Sequence, residues 1–173
     1  MEPQIEILGS SASLNSDDSV IVCHDPASTG PFHNHCFVRI KSIRRSILLH
    51  LEADHIFTVT PENFIYISET NVIFFRSSDQ WGVINLVENE LLIHISAPSG
   101  PIIWRSGDVL IVEDDLTAWS CDLHGRLIHK VPIDPPSEAT EFIDHIEYNS
   151  PVFGKQLLRT KRSINESITP FIE

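Results

Sequence analysis

Basic residues are scarce in this sequence. Its 173 residues hold 12 Lys and Arg against 24 Asp and Glu, a formal net charge of −12. A nucleic-acid binder needs a basic surface to neutralise phosphates, so this balance argues against that class. It argues equally against docking on an anionic membrane. No apolar run approaches the ~20 residues that a membrane span requires. The opening residues, Met1-Glu2-Pro3-Gln4-Ile5-Glu6, carry neither a basic region nor a long apolar stretch, so no export signal is expected. Cysteines are few and odd in number: Cys23, Cys36 and Cys121. Without export they are expected to be reduced thiols in the cytoplasm, not a disulfide framework. Also missing are a Gly-rich phosphate loop of either common kind and the Gly-x-Ser-x-Gly elbow of many hydrolases.

What is present is core material. Hydrophobic residues make up 42% of the chain and charged ones 21%, the composition of a globular domain and not of a disordered chain. The apolar residues fall into short runs bounded by turn-formers, from Val20–Cys23 through Val72–Arg76 and Val109–Glu113 to Leu127–Val131. They are rich in Ile, Val, Phe, Trp and Thr, which suit a pleated surface. Turns are predicted at Glu69-Thr70-Asn71, Glu88-Asn89, Pro98-Ser99-Gly100-Pro101, Ser106-Gly107-Asp108 and His124-Gly125. The rhythm predicts a single all-β domain over 1–173. Residues 1–19 should be flexible or supply an edge strand at Ile5–Leu8, and 132–173 should form a C-terminal extension. Pro132, Pro135 and Pro136 end the last strong strand. A short helix is possible over Ser137–Ile146, where Ser137 could cap and Phe142, Ile143 and Ile146 share a face.

The strands group in fours, at roughly 20–60, 64–96 and 102–131. Gly82–Ile93 can be laid over Ala118–His129, which brings Asn89 onto Gly125, two residue types that accept a left-handed turn. Within the second of these segments, Leu110-Ile111-Val112-Glu113-Asp114-Asp115 and then Ala118-Trp119-Ser120-Cys121-Asp122-Leu123-His124-Gly125-Arg126-Leu127-Ile128 resemble one blade of a quinoprotein-like β-propeller. Such blades run strand, acidic turn, strand, Asp-x-x-Gly turn, strand. The chain departs from that family where a Trp is expected after the Gly turn, since His129 and Lys130 stand there. It is also short of the roughly six to eight blades such enzymes use. The resemblance therefore implies blade-like four-stranded antiparallel sheets, packed as an incomplete propeller or a β-sandwich, with no quinone or other cofactor.

Candidate chemistry is thin. Cys23-His24-Asp25 and His33-Asn34-His35-Cys36 bring together residue types that suit zinc. Their spacing fits no standard finger, and alternation would separate His33 and His35 from Cys36. No metal site is assigned, and a metal-dependent hydrolase on this segment is the weaker alternative. Charge placement is more informative. From Glu52 to Asp115 there are eleven acids and two bases, Arg76 and Arg105, a net of −9. A negative patch of this kind steers a basic partner, and Trp side chains that reach the surface anchor interfaces. The expected partner-binding residues are Asp79, Trp81, Glu88, Glu90, Asp108, Glu113, Asp114 and Asp115. No catalytic residue is assigned. In general character the chain resembles bacterial immunity proteins, which are small, acidic and often β-rich and which plug the active site of a toxin. That resemblance implies a basic protein partner of the cognate-toxin kind, neutralised by occlusion. A scaffold that takes peptides along a sheet edge is the alternative.

Overall fold

Side-chain alternation along short strands decides the architecture. The computed structural model describes residues 2–24, 34–42, 46–53, 59–97 and 100–161. They form four sheets in succession. Sheet A is β1 (Gln4–Gly9), β2 (Asp18–His24), β3 (Asn34–Lys41) and β4 (Ser46–Ala53), in the order β1-β3-β4-β2. Sheet B is the meander β5 (Phe64–Ile67), β6 (Val72–Arg76), β7 (Gln80–Asn85) and β8 (Glu90–Ser96). Sheet C repeats it with β9 (Ile102–Ser106), β10 (Val109–Glu113), β11 (Thr117–Asp122) and β12 (Leu127–Pro132). Sheet D has three strands, β13 (Glu138–Glu141), β14 (His145–Ser150) and β15 (Gly154–Arg159).

Three hydrophobic cores join these sheets in order. The first packs Val38, Leu49 and Leu51 of sheet A against Ile73, Phe75 and Ile84 of sheet B. The second packs Phe74, Trp81 and Val83 of sheet B against Leu110, Val112 and Trp119 of sheet C. The third packs Val109, Ile111 and Val131 of sheet C against Ile146, Tyr148 and Leu158 of sheet D. Sheets B and C are thus buried on both faces. Their central strands must be apolar at every position, as Val72-Ile73-Phe74-Phe75 and Val109-Leu110-Ile111-Val112 are. Fully burying one such side chain contributes roughly 1.5–3 kcal/mol. Among the described residues no core joins sheet D back to sheet A. The fold is all-β, an arc of blade-like sheets of the incomplete-propeller kind.

Three details differ from the sequence expectation. The helix over Ser137–Ile146 is not formed. That stretch holds β13 and the start of β14, because Ile146, Tyr148 and Ser150 alternate inward and bury against sheet C. Phe142 and Ile143, read as part of a helical face, are exposed in the hairpin turn. Sheet A takes its fourth strand from β1 and not from Ile56–Thr60, whose residues 56–58 lie outside the described residues while Val59 and Thr60 belong to no strand. Finally, β2 pairs with β4 in parallel. The link from β1 to β2 crosses the outer face of sheet A, where the Ser13 carbonyl accepts a 2.7 Å hydrogen bond from Arg39.

Asp18 fastens that crossing. Its carboxylate accepts hydrogen bonds from Ser46 Oγ at 2.5 Å, the Asn15 N–H at 3.0 Å and Arg39 Nη2 at 3.1 Å. Burial pushes its pKa up, but these donors and the Arg39 charge outweigh that and hold it below the ordinary value. A depressed carboxylate stabilises the fold above the ordinary aspartate pKa of about 3.9, and this contribution is lost as pH falls through the folded-state value. Asp18→Asn should therefore lower the urea midpoint near neutrality. The gap to the parent should close as the pH drops below about 3.9; a gap that stays constant into acid would refute this role.

The alignment of the two hairpins holds in the backbone. Asn89 and Gly125 both take positive φ, 56° and 77°. Both hairpins also bulge, between Val83 and Ile84 and between Ser120 and Cys121. A Cβ on Gly125 would stand 2.4 Å from Val83 Cγ1 of sheet B, whereas one on Gly107 (φ 57°) would meet nothing within 4 Å. Gly125→Ala should cost about 2–5 kcal/mol, from strain plus overpacking. Gly107→Ala should lose only the backbone part, roughly 1–2 kcal/mol. Chemical denaturation of the two variants compares them directly, and equal losses would mean that the close approach of sheets B and C carries no weight.

Candidate functional site

The structure divides the eight expected partner-binding residues into three groups. Two are internal. Trp81 is fully buried and meets Trp119 edge-on, with ring centroids 5.5 Å apart at 60°. It holds sheet B to sheet C and offers a partner nothing. Asp79 is also buried. Its Oδ1 accepts from Ser77 Oγ at 2.9 Å and its carbonyl accepts the Ala97 N–H at 2.7 Å, so it builds the turn before β7. Trp81, expected as an interface anchor, is a core residue, and Asp79, expected in the acidic patch, is a buried turn residue.

The other six lie at two opposite ends of the sheets. Asp108 precedes β10 and Asp114 follows it, and six residues at about 3.3 Å each place them roughly 20 Å apart. Glu88, Glu90 and Asp108 share the end that carries the β5–β6 turn. There the Leu86 N–H bonds to the Asn71 carbonyl at 3.0 Å and Arg105 pairs with Glu69 at 3.2 Å. Glu113, Asp114 and Asp115 share the other end. Glu113 Oε1 accepts from Trp104 Nε1 at 3.2 Å and from the Tyr148 hydroxyl, so it ties sheet C to sheet D. Burial, with Glu113 beside it, pushes the Tyr148 hydroxyl pKa far up. Asp114 Oδ1 accepts the N–H groups of Leu116 at 2.8 Å and Thr117 at 2.7 Å, an Asx turn. Asp115 is exposed.

These three carboxylates line a hollow of about 210 Å³, together with Ile102, Ile133 and Pro135. Ile102 and, beside Asp115 in the chain, Leu116 are 57% and 59% exposed, large apolar side chains at a charged rim. A second and larger cleft, about 690 Å³, runs between β8 and β12. Leu92, Ile93 and Trp119 line it, with His94, Arg126 and Lys130 supplying polar groups. Sequence reasoning missed this cleft. Its only signal was that β8 and β12 close their groups of four and so end as outer edges.

The Cys/His candidate for zinc does not assemble from the residues described. Cys23, Cys36 and Cys121 are free and buried. Burial pushes the Cys23 thiol up to about 12 and raises Cys36 and Cys121 as well. Only a thiolate ligates or attacks, so these thiols are inert packing. Asp25 and His33 lie outside the described residues. His35 instead joins two residues of β4. Its Nδ1 is 2.8 Å from His50 Nε2 and 3.6 Å from Glu52 Oε1, and His50 Nε2 is 3.5 Å from the same oxygen. Burial lowers the His50 pKa; Glu52 opposes this shift and His35 adds to it.

No protein-family model matches the chain, and no curated protein matches it. Among solved structures the chain is similar to BamB from Moraxella catarrhalis, with 10% identity, a TM-score of 0.22, and 80% of this chain and 59% of that chain covered. The chain thus spans less than two thirds of that protein's length. A likeness at this TM-score carries no argument, and the propeller-like character rests on the sheets described above. Among the described residues no helix is long and apolar enough to cross a membrane.

The burial of Trp81 and the latch at Glu113 have measurable consequences. Trp81→Ala should cost about 3–5 kcal/mol of stability, as large core truncations do. Tyr148→Phe should cost about 0.5–1.5 kcal/mol for its lost hydrogen bond. Thermal unfolding tests both. An unchanged midpoint for Trp81→Ala would return that side chain to the surface.

Proposed function

We propose that this chain is a binding protein that neutralises a basic protein partner by occlusion and transforms nothing itself. The observation that carries the reading is the hollow at the β10–β11 end. Three consecutive carboxylates, Glu113 to Asp115, face a space of about 210 Å³ beside exposed Ile102. A Lys or Arg side chain fits such a space chemically, and a neighbouring apolar contact adds affinity that charge alone does not. The internal bonds of Glu113 and Asp114 hold the carboxylates in place before binding, which lowers the ordering cost. The net charge of −12 supplies long-range attraction. A toxin whose active site is basic is the partner class that best suits this chemistry, which makes an immunity protein acting in the cytoplasm the specific form of the proposal.

A second reading rests on the cleft between β8 and β12. Its apolar lining, with His94, Arg126 and Lys130, suits an extended peptide laid along a strand edge, as an adaptor would use. The two readings use opposite charges and different residues.

Capture of partners by the immobilised chain at roughly one Debye length of 10 Å and again near 3 Å separates them. The occlusion reading predicts a basic protein held one-to-one at low salt and released at high salt. Asp115→Lys combined with Ile102→Lys, both on exposed positions, should slow association at least tenfold with the folded spectrum unchanged. Arg126→Glu with Lys130→Glu should leave it intact. Loss of capture only in the second pair would favour the adaptor, and capture indifferent to both pairs would refute both surfaces.

A further inference from the structure

On sheet A the antiparallel register pairs His35 with Glu52 and Phe37 with His50. Alternation sends Cys36, Leu49 and Leu51 into the first core, so residues 35, 37, 50 and 52 share the outer face. His35 and Glu52 are cross-strand partners, His50 and Glu52 are two apart on one strand, and His35 and His50 lie on the diagonal. One donor atom from each of the three falls within 4.8 Å of the others.

We infer that His35, His50 and Glu52 form a binding site for a divalent transition metal of the zinc class. Zinc bonds to imidazole nitrogen at about 2.0–2.1 Å and to carboxylate oxygen at about 2.0–2.2 Å, so tetrahedral neighbours stand roughly 3.3–3.5 Å apart. Two of the three donor separations, 3.5 and 3.6 Å, are already at that spacing. The third, 2.8 Å between the imidazole nitrogens, must open by about half an ångström. The ligand types, two imidazoles and one carboxylate, are those of three-ligand zinc sites that leave a position for water.

Neighbouring groups hold the ligands. The Phe37 ring stacks on His50 with centroids 4.2 Å apart at 14°. Gln80, fully buried in sheet B, donates from Nε2 to the Glu52 carbonyl at 3.0 Å, and its Oε1 lies 2.7 Å from His94 Nε2. This fixes the backbone at the end of β4 from the neighbouring sheet. Side-chain exposures of 40% for His35, 17% for His50 and 18% for Glu52 leave the site open to an ion from solvent. The site owes nothing to the thiols singled out from sequence, nor to the acidic hollow, and stands whether or not the occlusion reading holds.

The test uses the full chain, stripped with chelator and titrated with Zn2+ by calorimetry and with Co2+ by absorption. The expected result is one ion per chain, a rise in the unfolding midpoint with saturating Zn2+, and cobalt bands of four- or five-coordinate geometry. His35→Ala and His50→Ala should each weaken Zn2+ binding at least tenfold while leaving the far-ultraviolet spectrum unchanged. Cys23→Ser, in the core behind the site, controls for binding by thiols and should leave affinity unaltered. The proposal is overturned if no stoichiometric Zn2+ binding occurs. It is overturned equally if the double variant H35A/H50A binds Zn2+ as tightly as the parent. Should a variant fail to fold, Glu52→Gln, which keeps the shape and removes the charge, provides the same comparison.

Discussion

The structure depends on burial between consecutive sheets. Each of the three cores is filled from two neighbouring sheets, so no sheet has an interior of its own. Sheets B and C are buried on both faces, and the edge-on contact of Trp81 with Trp119 sits where they meet. Polar groups follow the same logic. Gln80 reaches from sheet B to sheet A, Thr70 Oγ1 bonds to the Leu123 carbonyl between sheets B and C, and Tyr148 reaches from sheet D to Glu113. Hydrogen bonds at such seams fix the register of one sheet on the next, where apolar contact alone would permit sliding.

This scaffold sorts the acidic residues. A meander sends successive turns to alternate ends, so acids that stand close in sequence part company in space. Asp108 and Asp114 are separated by the whole of β10, although their numbers differ by only six. The acids from Glu69 to Asp115 for that reason form two rims and some internal fastenings. The rim at Glu113–Asp115 is concave and adjoins exposed apolar side chains, whereas the rim at Glu88, Glu90 and Asp108 carries the Arg105–Glu69 pair nearby.

Much of the fold was legible in the sequence because two-faced burial writes unbroken apolar runs such as Val72–Phe75 and Val109–Val112. The left-handed turns at Asn89 and Gly125 were legible from residue type. Sheet D was not, since β13 is exposed throughout and β14 shows its pattern only at Ile146, Tyr148 and Ser150. Phe142 and Ile143 next to Ile146 imitated a helical face. The burial of Trp81 was unreadable for a related reason: where both faces of a strand are covered, alternation no longer tells inside from outside. The His35, His50 and Glu52 cluster depends on the register of β3 against β4, and spacing along the chain cannot supply a register. Cys23 and Cys36 face the core on the opposite side of the same sheet.

The serial arrangement of the sheets has a further consequence. Because, among the described residues, each sheet shares a core only with the ones before and after it, the molecule is close to a one-dimensional stack, whose stability is a sum over neighbour-to-neighbour seams. An inner sheet cannot leave without opening two seams. Among the described residues sheets A and D each share a single core with a neighbour, and either can detach by opening one seam. Opening of the sheet D end leaves both the A–B seam, which supports the histidine cluster, and the B–C seam intact. Thermal fluctuation is thereby directed to the two terminal sheets, A and D, each held by one core, while sheets B and C are held from both faces.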